Sequence, residues 1–207
     1  LNAQGQCIAQ APLLVLANAR DALRLVGLPE EALGARRGQL SWYRPPAAAD
    51  EVRAPALPVA SGGYVLRRPD STVVMGATNT ARDEDGNVRE ADHAFNLERA
   101  TQLLGASPLP PGATLQGRVS WRAVTRDRLP LIGPVPDVNA PAPRRQGLAL
   151  IARRPGLWLH TGLGSRGITT AMLGAELVAA QALGEPWPLE ADLAEALDPA
   201  RVLLVRV

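Results

Sequence analysis

The chain contains no lysine: all 22 of its basic side chains are arginine. Against 20 carboxylates they leave a formal net charge of +2 and an isoelectric point near 9.3. Arginine forks grip phosphates and carboxylates through paired hydrogen bonds, but with so much alanine the missing lysine is first a sign of GC-rich coding. The charge leaves room for an anionic partner such as RNA. Cys7 is the only cysteine, which excludes an intrachain disulfide and a thiolate metal cluster. His93 and His160 are the only histidines, too few and too isolated for a metal site. No apolar run approaches the roughly 18 residues needed to cross a bilayer, and the longest, 11–17, has the length of a strand. No charged-then-apolar leader precedes it, so a cytoplasmic location with no membrane contact is the default expectation.

What is present is ordinary for a globular protein, 46% hydrophobic and 20% charged over 207 residues. That length suffices for one substantial core, or one core plus part of another. Residues 11–17 read as a fully buried strand of the kind found in parallel sheets covered on both faces. Nothing upstream supplies its parallel partner, which suggests a truncated domain. Asn18 is placed to cap a short helix over 19–26, ended by Gly27 and Pro29. Short strands follow over 38–43, 56–60, 64–67 and 72–76. The last two are joined by Arg68-Pro69-Asp70-Ser71, a turn sequence for an antiparallel hairpin.

Residues 82–87 read as a charged loop and 90–104 as a helix with Phe95, Leu97, Leu103 and Leu104 partly on one face. A long strand runs over 114–124, and proline-broken loops cover 125–136 and 139–146. A strand over 148–152, a tight turn over 153–156, a strand from Leu157 and a helix over 168–183 close the pattern, with a last short helix over 190–197. The order of elements gives an α+β class, with a largely antiparallel sheet in the middle and parallel-type pieces at both ends.

The most telling stretch is Gly162-Leu163-Gly164-Ser165-Arg166-Gly167, between a strand and a helix. Literally it is G-x-G-x-x-G, the fingerprint of a dinucleotide pyrophosphate site. Only forty residues follow it, too few for a nucleotide fold that began there. A hydrolase reading of Ser165 fails because Leu163 stands where a nucleophile elbow needs glycine. His160, on an apolar strand, reads as a satisfied core residue, and His93, beside Glu90 and Asp92, as a surface one. Arg122 lies late in a long strand, where a charge needs a partner. Two readings stand open, an ion pair with an acid such as Asp127 and an anchor for an anionic substrate.

Several segments form an ordered series: Arg37-Gly38-Gln39, Gly63-Tyr64-Val65-Leu66, Val74-Met75-Gly76-Ala77-Thr78, the run from Trp121 to Gly133, and Gly162 to Gly167. The series resembles the glycine oxidase and D-amino acid oxidase family of flavoproteins. Within it, Ala123-Val124-Thr125-Arg126-Asp127-Arg128-Leu129-Pro130, Leu163-Gly164-Ser165-Arg166-Gly167, Ala179-Ala180-Gln181 and Ala196-Leu197-Asp198-Pro199-Ala200-Arg201 resemble the oxidoreductase half of bifunctional enzymes that modify the tRNA wobble uridine.

The resemblance implies three segments. Residues 1–34 would end an FAD-binding, Rossmann-like domain whose N-terminal part is missing, 35–146 would form the substrate domain, and 147–207 would return to the FAD domain. It implies FAD as cofactor, not retained by this length of chain alone, and no metal. Gly162, Gly164, Ser165, Arg166, Gly167 and Ile168 would face the flavin ring, with Gly38 and Gln39 passing beside it. Arg122 would hold a substrate carboxylate and Tyr64 would line the pocket, with Asn79 and Arg166 at further pocket positions. The implied partners are tRNA and the missing FAD-binding and methyltransferase portions of the same polypeptide. The implied reaction removes the carboxymethyl group of 5-carboxymethylaminomethyl-(2-thio)uridine. Oxidation of free glycine or a sarcosine-like amine, and a non-enzymatic RNA-binding or interaction domain, remain as alternatives.

Overall fold

The computed structural model describes residues 4–46, 54–141 and 147–204. Of the loop expected over 139–146, residues 142–146 lie outside the described residues. The chain divides into two compact units, Leu1–Gly34 with Arg122–Val207, and Ala35–Trp121. In chain order the elements are β1 (Leu14–Leu16), α1 (Ala22–Val26), β2 (Leu33–Tyr43), β3 (Val59–Ala60), β4 (Tyr64–Arg67), β5 (Val73–Gly76) and β6 (Thr80–Ala81). They continue with α2 (Glu90–Leu104), β7 (Gln116–Thr125), β8 (Leu131–Pro136), β9 (Arg153–Thr161), α3 (Gly167–Leu183) and α4 (Ala191–Leu197).

The first unit is built on a three-stranded sheet in the order β1-β9-β8, with β1 parallel and β8 antiparallel to β9. Period-two alternation sorts its side chains into two layers. Leu131, Val135 and Leu159 pack with Leu23 and Val26 of α1 on one side. Ile132 packs with Leu177 and Val178 of α3 and Ala194 of α4 on the other, with Trp158 against them. Arg153 ties β9 to the C-terminal turn through two 2.7 Å bonds to Asp198. Asp198 in turn accepts the Ala200 N–H at 2.8 Å, so one carboxylate both caps the turn and pins it.

The second unit is an antiparallel sheet in the order β3-β4-β5-β2-β6, with β7 also paired to β2. Its β4–β5 hairpin is closed as the sequence leads one to expect: Asp70 Oδ1 accepts the Thr72 N–H at 3.2 Å, and Ser71 takes φ of 63°. Helix α2 covers one face, where Tyr43, Val65, Val73, Met75 and Ala100 are buried. Gly105, with φ of 75°, ends α2 in the left-handed conformation that glycine adopts without steric cost.

The α+β class is the observed one, with several elements displaced from their expected places. The strand expected over 11–17 shortens to β1 and is exposed rather than buried, Leu14 at 53% and Val15 at 37%; its parallel partner is β9, downstream in the chain. The segment read as a loop over 125–136 contains β8. As the outer strand of its sheet it tolerates Pro134 and Pro136, which flank a register shift.

The strand expected over 148–152 is a single 3-10 turn, Leu148–Leu150. The turn expected at 153–156 is part of β9, where Pro155 and Gly156 fall in the same irregularity. Gly156 has φ of 69°, and a Cβ there would collide with the Pro12 carbonyl. Asn18 caps nothing with its side chain, and the helix it precedes begins as a 3-10 turn. Residues 122–141, read from the sequence with the middle segment, belong with the first unit, because β8 is a member of the β1-β9-β8 sheet.

Candidate functional site

In the first unit the glycine loop leaves β9 and turns into α3. Gly162 has φ of 73°, and a Cβ there would stand 3.2 Å from Leu33 Cδ1 and 3.3 Å from Thr125 Cγ2. Both the backbone conformation and the space require glycine. Gly164 takes φ of 57° and opens a 3-10 turn, Gly164–Arg166, after which α3 begins at Gly167. Leu163 is fixed by a bridge to Val124. Gly167 is different: a Cβ there would meet only Leu163, at 3.7 Å or more. Among the described residues nothing demands glycine at that point.

The start of α3 has no side-chain cap. The hydroxyls of Thr169 and Thr170 both donate back to the Arg166 carbonyl at 2.9 Å, so neither serves the free N–H groups of the first turn. Ser165, Arg166 and Ile168 are exposed, and the Ile168 side chain is 98% exposed. A 17-residue helix therefore ends in unsatisfied donors carrying a partial positive charge. Such an end suits a group that gains negative charge, and the residues present fit the ring of a reducible flavin.

Arg122 is half-buried at the start of the second segment of this unit and is itself engaged in an interaction. Asp127, one acid considered for it, is committed to Arg201 through bonds of 2.9 and 3.2 Å. Burial pushes its carboxyl up, yet Arg201, the Leu129 N–H and the Thr125 side chain outweigh this and hold it at about 2. His160 is not the satisfied core histidine expected: its Nε2 is buried without a partner, and burial lowers its pKa.

In the second unit Gly38 and Gln39 lie in the buried stretch of β2. The Gln39 side chain is held at both ends, donating to the Arg89 carbonyl at 2.9 Å and accepting the Arg89 N–H at 2.8 Å. Its backbone N–H goes to Thr78 Oγ1 at 2.8 Å and its carbonyl accepts from Asn96 Nδ2 at 2.9 Å. Gln39 thereby ties β2 to the loop before α2 and to α2 itself. Tyr64 lies across Gly76, whose Cβ would come 3.2 Å from the Tyr64 hydroxyl. Asn79 is exposed and accepts from Arg36 with both its side-chain oxygen, at 2.7 Å, and its carbonyl, at 3.1 Å.

Three features of this unit were not anticipated from the sequence. Arg37 is fully buried, bound to Asp92 at 2.5 Å and to the carbonyls of Asp85 and Asn87 at 2.7 and 2.6 Å. It thereby pins the loop over 82–89, which Arg89 closes on itself through Asp83 at 2.6 Å and Asp85 at 2.8 Å. The available signal was the cluster of acids at 83, 84, 85 and 92 facing an arginine with no other strand-borne acid. His93, expected at the surface, is buried at 4%, with Nδ1 2.8 Å from Ser41 Oγ. Phe95, expected with the apolar face of α2, is 42% exposed under the Arg99 guanidinium, 5.4 Å from the ring centroid.

Among the described residues no cluster of histidine, cysteine and acids could hold a metal ion, and no helix is long and apolar enough to cross a membrane. The chain is 47% identical over 211 residues to the tRNA 5-methylaminomethyl-2-thiouridine biosynthesis bifunctional protein MnmC of Burkholderia multivorans, covering 99% of the chain and 32% of that protein. The same-named protein of Methylibium petroleiphilum is 47% identical over 221 residues, covering 100% and 33%. The chain thus spans about a third of the length of these curated relatives.

Among solved structures, iminodiacetate oxidase from Chelativorans sp. BNC1 matches with a TM-score of 0.69 and 25% identity, over 92% of this chain and 47% of that one. Glycine oxidase from Geobacillus kaustophilus, at 24% identity, shares the fold with a TM-score of 0.65 over 88% and 45%. The sequence also matches the DAO family, FAD dependent oxidoreductase, over residues 2–181. With that match spanning most of its length, the chain belongs to the FAD dependent oxidoreductase family.

Proposed function

We propose that this chain is the flavin-facing and substrate-recognising part of an oxidoreductase that acts on 5-carboxymethylaminomethyl-(2-thio)uridine at the tRNA wobble position. It would remove the carboxymethyl group to leave aminomethyl-uridine and glyoxylate. The observation that carries the reading is the uncapped α3 N-terminus behind Gly162 and Gly164, in a chain 47% identical to part of a tRNA-modifying protein. The proposal includes further nucleotide-binding and methyltransferase portions of the kind a bifunctional relative carries. Alone, the 207 residues are proposed not to retain FAD.

Bound FAD would supply the two-electron acceptor that turns the amine and its neighbouring CH₂ into an imine, which water then cleaves to amine and aldehyde. The N–H groups at Gly167 and Ile168 would stabilise negative charge with no reorganisation. Ser165 and Arg166 would stand at the rim of that contact. Arg122 would grip the substrate carboxylate through a charge-assisted pair of bonds and so orient the adjacent amine and C–H. Tyr64, with Asn79, would line the pocket, while Gly38 and Gln39 enter the proposal as positioning residues. No side-chain acid or base is required if the amine arrives neutral.

A second reading, oxidation of a free N-carboxymethyl amine such as glycine or sarcosine, is favoured by the likeness to iminodiacetate oxidase, whose named substrate carries the same N-carboxymethyl group as the tRNA nucleoside. Family membership favours both readings over a non-enzymatic RNA-binding module. Incubating the full-length protein with tRNA carrying the carboxymethylaminomethyl group separates them. Mass spectrometry of the nucleosides should show aminomethyl-uridine with an equal amount of glyoxylate. Turnover of glycine with unaltered tRNA would select the second reading.

A further inference from the structure

We infer that the sheet face of the second unit turned away from α2 docks single-stranded RNA, with Trp42 as a base-stacking platform and Arg118 as a phosphate contact. The inference rests on the tRNA reading above and says where that RNA lies. The face is defined by register. Trp42 is paired with Val74 and Val74 with Leu66, and residues directly opposite in antiparallel strands share a face. The indole N–H of Trp42 donates to Gln116 Oε1 at 2.9 Å, which places Gln116 on that face too. Alternation along β7 then adds Arg118 and Ser120, and the burial pattern agrees: 116, 118 and 120 are exposed while 117 and 119 are half-buried. Gly117, on the opposite face, stands against His93 of α2.

Three properties of this strip point to RNA. The partly buried indole is held by its bond to Gln116, so stacking a base on its accessible part costs little ordering. Every base has a π-face, which makes an immobilised aromatic a sequence-tolerant platform. Arg118 is exposed and, among the described residues, has no carboxylate partner, while none of the strip's residues is acidic. A cation and an aromatic on one strip without an acidic residue among them is an arrangement that can receive a splayed nucleotide. The sheet's other face offers no such site, being filled by α2 and its apolar contacts.

The test uses the full-length protein and a fluorescein-labelled anticodon stem-loop RNA, with affinity measured by anisotropy over a range of salt. Trp42→Ala should weaken binding roughly 5- to 100-fold, whereas Trp42→Phe, which keeps a ring, should recover most of it. Arg118→Gln, at an exposed position where folding is not at stake, should weaken binding and lower the salt slope by about 0.7. Wild-type affinity and slope in both Trp42→Ala and Arg118→Gln would overturn this surface and leave the tRNA reading standing. If the wild-type protein itself fails to bind the RNA, both fall together.

Discussion

His160 and Gly174 are packed so closely that a Cβ on Gly174 would stand 2.7 Å from the imidazole Nε2 and 2.6 Å from Ile132 Cδ1. This is where α3 lies against the β8–β9 pair, and it fixes how near the helix approaches the sheet. Alanine would gain about 1 kcal/mol in helix propensity. Ile132 is 2% exposed and packed in the core, and overpacking a filled core costs about 1–3 kcal/mol. Gly174→Ala should therefore be destabilising on balance, and Gly174→Val more so. Urea midpoints will show this; a rise for Gly174→Ala would mean that the contact is looser than described.

The same histidine makes stability depend on pH. Burial lowers its pKa from the usual 6.5, so the folded state resists a proton that the unfolded chain accepts. Nothing is lost above pH 6.5, and stability falls as pH drops from there toward the folded pKa. Asp127, held at about 2, acts in a lower window. Its contribution is complete above 3.8, is lost between there and about 2, and is small because the carboxylate is 48% exposed. His160→Gln should shrink the difference in urea midpoint between pH 7.5 and 5.5. Asp127→Asn should leave that difference unchanged.

Two glycines of one loop should behave in opposite ways. Gly162→Ala forces a left-handed φ of 73° on alanine and drives its Cβ against Leu33 and Thr125, costing about 1–3 kcal/mol. Gly167→Ala meets nothing closer than 3.7 Å and should leave the thermal midpoint unchanged or slightly raised. In the full-length protein Gly167→Ala should nevertheless lower FAD content or affinity, since a methyl would intrude where the flavin ring is proposed to approach. Full FAD retention with unchanged affinity in that variant would place the ring elsewhere.

Arg122→Ala should raise KM for the carboxymethylated tRNA and slow flavin reduction by about 10- to 150-fold, the worth of a charge-assisted hydrogen bond. FAD content should stay intact. Unchanged reduction kinetics would remove Arg122 from the carboxylate site.

Helix α2 was legible to the residue because its polar first turn and Gly105 mark both ends. Its buried face was legible in part: Leu97, Leu103 and Leu104 pack against the core as expected, but the fully buried positions are His93, Asn96 and Ala100. Polar residues enter this core because β2 presents Gln39 and Ser41 to them, a pairing between residues more than fifty positions apart. Strand β8 was hidden by its prolines, which only an outer strand accepts, and sheet order cannot be seen in one sequence. The glycine loop was legible because its φ requirements are local. Whether Gly167 is needed by the chain or by something beyond it could be asked only once its surroundings were known.

The central claim is tested most directly by mixing the FAD-loaded full-length protein, without oxygen, with tRNA bearing 5-carboxymethylaminomethyl-uridine, and following the bleaching of the flavin. The account predicts rapid, stoichiometric reduction by that tRNA, slow or no reduction by glycine, and none by tRNA lacking the carboxymethyl group. Reduction by glycine at the same rate, or no reduction by the modified tRNA, would contradict it.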